Sequence, residues 1–127
     1  METTLIVQAE LLDPTLIAKH LQLKGSVQDA AWRFKMADRL RKESLSSHIH
    51  YWRSLLSKHN QGARVLQQIG YRFSISIRLT DENFSLLSLS SDEIKVFSRY
   101  HLGMTIEFFN DKTQVIPTAR GDPKLAP

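Results

Sequence analysis

The chain has 127 residues, no cysteine and a formal net charge of +4. That length suits one domain able to bury roughly two-thirds of its unfolded surface without staples. Disulfides, thiolate metal sites and a cysteine nucleophile are excluded, and no apolar run approaches the ~20 residues of a membrane helix. The opening Met-Glu-Thr-Thr-Leu-Ile-Val-Gln-Ala-Glu lacks a basic leader, and Gln8 and Glu10 break its apolar run, so a signal peptide is not expected. The chain reads as a cytoplasmic protein outside the membrane.

Thr3 to Glu10 reads as a strand with Leu5, Val7 and Ala9 on one face. Asp13-Pro14 opens a helix: aspartate accepts orphan backbone N–H groups, and proline is tolerated at the first helical position. Leu16, Ile17 and Leu21 form its apolar stripe, and Lys24-Gly25 ends it. Residues 26–44 fit two patterns. As a helix, Ala30, Phe34, Ala37 and Leu40 share a face, and residue propensities favour it. As a strand, Trp32, Phe34 and Met36 alternate with Arg33, Lys35 and Ala37, and periodicity does not decide between them.

Ser46 or Ser47 then caps a helix carrying Ile49, Trp52, Leu55 and Leu56. Asn60-Gln61-Gly62 reads as an interruption, after which Ala63, Val65, Leu66 and Ile69 continue as a shorter helix to Gly70. From Tyr71 to Asn110 the pattern is strand, turn, strand, helix, strand. Phe73, Ile75, Ile77 and Leu79 alternate with polar residues, Asp81-Glu82-Asn83 turns, and Phe84 to Leu89 returns. Ser91 or Asp92 caps a helix with Ile94 and Phe97, Gly103 stops it, and Met104, Ile106 and Phe108 form the last inward row. Three prolines, Gly121 and few apolar groups mark 111–127 as a mobile tail after a single domain over 1–110.

The strand, cap and helix ending in His20-Leu21 loosely echo those ending in His101-Leu102. The expected architecture is therefore α+β, with two β-α-β-like halves in one mostly antiparallel sheet and helices packed on one face. The expected core is Leu5, Val7, Ile17, Leu21, Ile49, Trp52, Leu56, Leu66, Ile69, Phe73, Ile75, Ile77, Leu86, Ile94, Phe97, Ile106 and Phe108.

Three stretches carry a resemblance. They are the first strand running into Leu12-Asp13-Pro14-Thr15-Leu16-Ile17 and Leu21-Gln22-Leu23, the helix from Ser47 to Leu56, and Phe84 to Ile94 followed by Leu102-Gly103-Met104. Together they resemble the bacterial domain of unknown function family 4279 over most of residues 3–110. The resemblance implies a small α+β domain with a strand at Trp32 to Met36, although Val27 to Lys42 is more basic and helix-like than that pattern. It implies no reaction, cofactor or catalytic residue.

Among candidate sites, His48 and His50 are two apart on a helix and point to nearly opposite sides, the wrong spacing for a metal pair. Asp81-Glu82 and Asp92-Glu93 are explained by a turn and a first helical turn. No nucleophile elbow or phosphate-binding glycine loop is present, and Arg120-Gly121-Asp122 is a coincidental tripeptide. No catalytic, metal or cofactor residue is assigned, and the balance is against an enzyme.

The charge is uneven. Ala30 to Arg72 holds nine Lys/Arg against Asp38 and Glu43, a net of +7. Arg33, Lys35, Arg39, Arg41, Lys42 and Arg53, interleaved with Trp32, Tyr51 and Trp52, are the candidate contacts for an anionic partner. The leading expectation is a non-catalytic, immunity-type or regulatory module that binds another protein. A nucleic-acid binder using the basic middle is the alternative, and a small-molecule enzyme the third.

Overall fold

A five-stranded sheet in the order β2-β3-β1-β4-β5 organises the described residues, 1–79 and 88–108 of a computed structural model. Its strands are β1 (Glu2–Gln8), β2 (Ser26–Gln28), β3 (Ala31–Lys35), β4 (Arg72–Leu79) and β5 (Leu102–Phe108). Four α-helices accompany them: α1 (Pro14–Leu21), α2 (Leu45–Lys58), α3 (Asn60–Gln68) and α4 (Ser91–Arg99). Three strand pairs are antiparallel, and β4–β5 alone is parallel. The fold is α+β, with one mostly antiparallel sheet.

Side-chain alternation in β1 and β4 decides which face the helices cover. Thr3, Leu5 and Val7 pair with Ile77, Ile75 and Phe73, and all six are buried. On β3, Trp32 and Phe34 continue that row opposite Val7 and Leu5. Hence residues 26–44 resolve as strand rather than helix, and the short 3-10 turn Asp38–Leu40 follows. Packing overrides local helix propensity here, because a strand puts Trp32 against the core and leaves Arg33 and Lys35 on the outer face. Trp32 stacks beside Phe34, and Phe34 meets Trp52 edge-on.

Both halves are β-α-β units. In the first, β2 runs parallel to β1, and the β2–β3 hairpin slots β3 between them. In the second, α4 carries the chain back so that β5 lies directly beside β4. Their helix starts are similar in kind. Asp13 caps α1, accepting from Thr15 N–H at 3.0 Å and Leu16 N–H at 3.2 Å. Ser90 caps α4 in a reciprocal box with Glu93.

Several boundaries and core assignments differ from expectation. α1 stops at Gln22 in a left-handed conformation, ahead of Gly25. Ser44 caps α2, and Ser90 rather than Ser91 or Asp92 caps α4. Gly62 interrupts nothing: it lies inside α3, where an added Cβ would fall 2.0 Å from the His20 carbonyl oxygen. The helix break is at His59, and Gly62 is where α1 approaches α3.

Ile94 is exposed because the buried side of α4 is Val96 and Phe97, with Ile94 about 110° round from their midline. Ile69 is exposed at the C-cap of α3. Ile106 and Phe108 also lie outside the core. Ser88 to Ser90 are irregular rather than the end of a strand. The remainder of the strand at 84–89, the turn at 81–83, Leu86 and the segment 111–127 lie outside the described residues. No helix among the described residues is long and apolar enough to cross a membrane.

Candidate functional site

The six candidate cations are distributed over two sides of the molecule. Arg33 and Lys35 alternate outward on β3, with Arg33 Nε donating to the Gln28 carbonyl at 3.4 Å. Lys35 lies 3.8 Å from the Glu2 carboxylate, which Arg41 also engages. Arg41 reaches Asp38 as well, at 3.3 Å. The Arg41 hydrogen bond, with the charges of Lys35, Arg41 and Arg78, holds Glu2 below the usual carboxylate range against a partial burial penalty. Arg39 sits over the Tyr51 ring at 5.9 Å, Lys42 is exposed between the 3-10 turn and α2, and Arg53 is exposed on α2.

The structure thus brings Lys35 and Arg41 together around Glu2 and separates Arg39 and Arg53 from the outer sheet face. Trp32 and Trp52 are each 1% exposed, so neither indole is available to stack on a base. Tyr51 is half-buried beside Trp52. Arg72 and Arg78 of β4 share the outer face with Arg33 and Lys35, as the strand register requires.

A groove of about 660 Å³ separates the N-terminal turns of α2 and α4, lined by Ser44, Ser46, His50, Arg53, Ser90 and Glu93 among others. Its polar groups are largely engaged with each other. Ser44 Oγ accepts from Ser47 N–H, Ser90 Oγ from Glu93 N–H, and Glu93 Oε1 from Ser90 N–H. Hydrogen bonds from Ser46 and from the Ser90 backbone, in that order, lower the Glu93 pKa, aided by His50. The carboxylate occupies the place where an anion would meet the helix ends, so the groove is explained by capping. Among the described residues no group of three His, Asp or Glu is arranged to hold a metal ion.

His48 and His50 do diverge, and His48 is the more unusual. On α2 it joins Leu45, Ile49, Trp52 and Leu56 on the buried stripe and is fully buried. Its Nδ1 lies 2.8 Å from Thr3 Oγ1, which also accepts from the Trp52 indole N–H at 2.8 Å. Nε2 has no hydrogen-bond partner among the described residues. Thr3 Oγ1 also approaches Met36 Sδ at 3.8 Å, so its one hydroxyl hydrogen serves either Met36 or His48 Nδ1, and the ring tautomer follows that choice. Burial keeps its pKa below the ordinary histidine value and the Met1 ammonium adds to this, opposed by the Leu40 carbonyl and Glu43. With only neutral side-chain partners, this cluster knits β1 to α2 and offers no acid–base pair.

Among the described residues, one apolar row differs from the inward-facing row that the sequence reading expected. Met104, Ile106 and Phe108 pair with Ile75, Ile77 and Leu79, so they point to the helix side of the sheet. Yet they are 44%, 48% and 53% exposed. Among the described residues the buried rows lie on β1, β3 and β4, and Met104 and Ile106 of β5 lie outside them. Compared with models of protein families, with curated proteins and with solved structures, the chain matches none.

Proposed function

We propose that the chain is a non-catalytic protein-binding module, of an immunity or regulatory accessory type, whose docking surface is the β5 rim. The observation that carries this reading is the half-exposed row of Met104 and Ile106 on the helix side of β5, the last strand of the sheet among the described residues. An alternating apolar row at a sheet edge supplies what strand addition needs: main-chain hydrogen bonds for affinity and side-chain pockets for specificity. The polar alternatives are weaker, since the α2–α4 groove is engaged by its own caps and the His48 cluster is closed.

A photo-crosslinking residue introduced at Ile106 in the cells of origin tests the reading. Covalent protein adducts are expected at this position and not at Lys58 on the exposed side of α2. Equal or absent labelling at the two positions refutes it. A second reading, nucleic-acid binding through the basic segment 30–72, draws on Arg33, Lys35 and Arg72 sharing the outer sheet face. It expects salt-sensitive DNA or RNA binding, weakened by Arg39→Glu with Arg41→Glu. No mobility shift at low salt removes it.

A further inference from the structure

We infer, independently of the β5 reading, that the hollow between α3 and the turn joining α4 to β5 binds a small phosphate monoester. The hollow has a volume of about 440 Å³, within the ~300–1,000 Å³ of small-molecule sites. Asn60, Ala63, Arg64 and Gln67 recur at helical spacing, so one face of α3 forms its first wall. Arg99 and His101 belong to a second wall, and Ser57 lies where α2 ends. Gln67 Nε2 donates to the Tyr100 carbonyl oxygen at 2.9 Å, which ties the two walls together and fixes their spacing before a ligand enters.

Its charge is one-sided. No aspartate or glutamate is among the described residues that line it, whereas the α2–α4 groove carries Asp92 and Glu93, and the hollow beside Arg39 carries Glu43. Among the described residues neither Arg64 nor Arg99 has a carboxylate partner, in contrast to Arg41 with Glu2 and Asp38. Arg99 lies over the Tyr100 ring at 5.9 Å. Two guanidinium groups thus share one hollow without a counter-charge, and an anion supplies it. The donor set selects the anion. Arg64, Arg99, the Asn60 amide, the Ser57 hydroxyl and the His101 imidazole come from three segments of chain. That suits the three terminal oxygens of a phosphate monoester better than the two coplanar oxygens of a carboxylate. Leu56 and Ala63, both buried, give the carbon part of the ester an apolar contact.

Every residue named in this site is a described one. The segments outside the described residues adjoin Leu79, Ser88 and Phe108. Leu79 and Phe108 pair with each other, about 20 Å along the strands from the Phe73–Leu102 pair that follows the hollow. Ser88 precedes the start of α4, whereas Arg99 is its last residue.

Amide NMR titrations of the full ¹⁵N-labelled chain with ribose 5-phosphate, inorganic phosphate and ribose, at constant ionic strength, test the proposal. Ribose 5-phosphate is expected to saturate with a Kd below about 1 mM, shifting the amides around Arg64 and from Arg99 to His101. Inorganic phosphate is expected to bind more weakly at the same amides, and ribose not to bind. Arg64→Gln and Arg99→Gln change exposed residues that the fold does not need, and each is expected to weaken binding by about tenfold. Arg33→Gln, on the outer sheet face, is expected to leave it unchanged. Failure of both phosphate probes to saturate by about 10 mM overturns the proposal, as does a loss with Arg33→Gln equal to that with Arg64→Gln. Shifts spread equally over Arg33 and Lys35 overturn it too, as the mark of diffuse attraction to basic surface. None of these results bears on cross-linking at Ile106, so this site and the β5 reading stand or fall separately.

Discussion

Replacing Thr3 with valine removes one hydroxyl and tests how the sheet is tied to α2. That hydroxyl accepts from the Trp52 indole at 2.8 Å and bridges to His48 Nδ1 at 2.8 Å, in a site where all three residues are 0–1% exposed. Valine has nearly the same shape, so little packing is lost, while two buried polar atoms lose their partners. Each costs about 1–3 kcal/mol when left unsatisfied. Allowing for local adjustment, Thr3→Val is expected to destabilise the fold by about 3 kcal/mol, lowering Tm by about 10 °C for a chain of this size. Thr3→Ser keeps the hydroxyl and loses a methyl group, for about 1 kcal/mol. Urea unfolding at pH 7.5 reports the difference. A Thr3→Val loss under about 0.5 kcal/mol, or a larger loss for serine than for valine, refutes the reasoning, because packing would then outweigh hydrogen bonding at this site.

Three further outcomes follow from particular positions. Gly62→Ala is expected to destabilise the protein in thermal melts despite a helix-propensity gain of about 1 kcal/mol, because the new Cβ meets the His20 carbonyl; stabilisation would show that α1 moves aside freely. Asp29 and Ala30 form the two-residue β2–β3 turn with φ of 52° and 60°, so Ala30→Gly is expected to stabilise by about 1 kcal/mol by removing left-handed strain. Fully buried His48 has a lowered pKa, so as pH falls below about 6.5 the unfolded chain takes up a proton that the folded chain refuses. Stability is therefore expected to decline from that pH down to the folded pKa, and His48→Gln to flatten the decline, distinguishing it from loss of Glu2 and Glu93 pairing at lower pH.

Period-two alternation placed β1 and β4 correctly, with Leu5, Val7, Phe73, Ile75 and Ile77 on the buried side, because one face of each is covered along its whole length. The same pattern misjudged β5, since alternation reports which side a residue faces and not whether a helix reaches it. Ile94 illustrates the helical version of this limit. Ile94 and Phe97 satisfy i,i+3 spacing, but Val96 and Phe97 define the contact with the rest of the molecule. In residues 26–44 propensity and periodicity conflicted, and the decision came from Leu5 and Val7, distant in sequence, which require Phe34 and Trp32 beside them. The exposure of Met104 and Ile106 was hidden for a related reason: alternation gives the side a residue faces, and local sequence does not encode what packs over that side.

The two halves begin alike and end differently, and the difference leads to the site. In the first half the chain crosses over α1, lands one strand out, and turns back through the Asp29-Ala30 hairpin to place β3 beside β1. Its outer edge is therefore a three-residue strand. In the second half α4 returns the chain directly beside β4, and the edge is a seven-residue strand with no inserted neighbour among the described residues. Among the described residues Trp32, Leu5 and Ile75 are buried across β3, β1 and β4, whereas Met104 and Ile106 of β5 are 44% and 48% exposed.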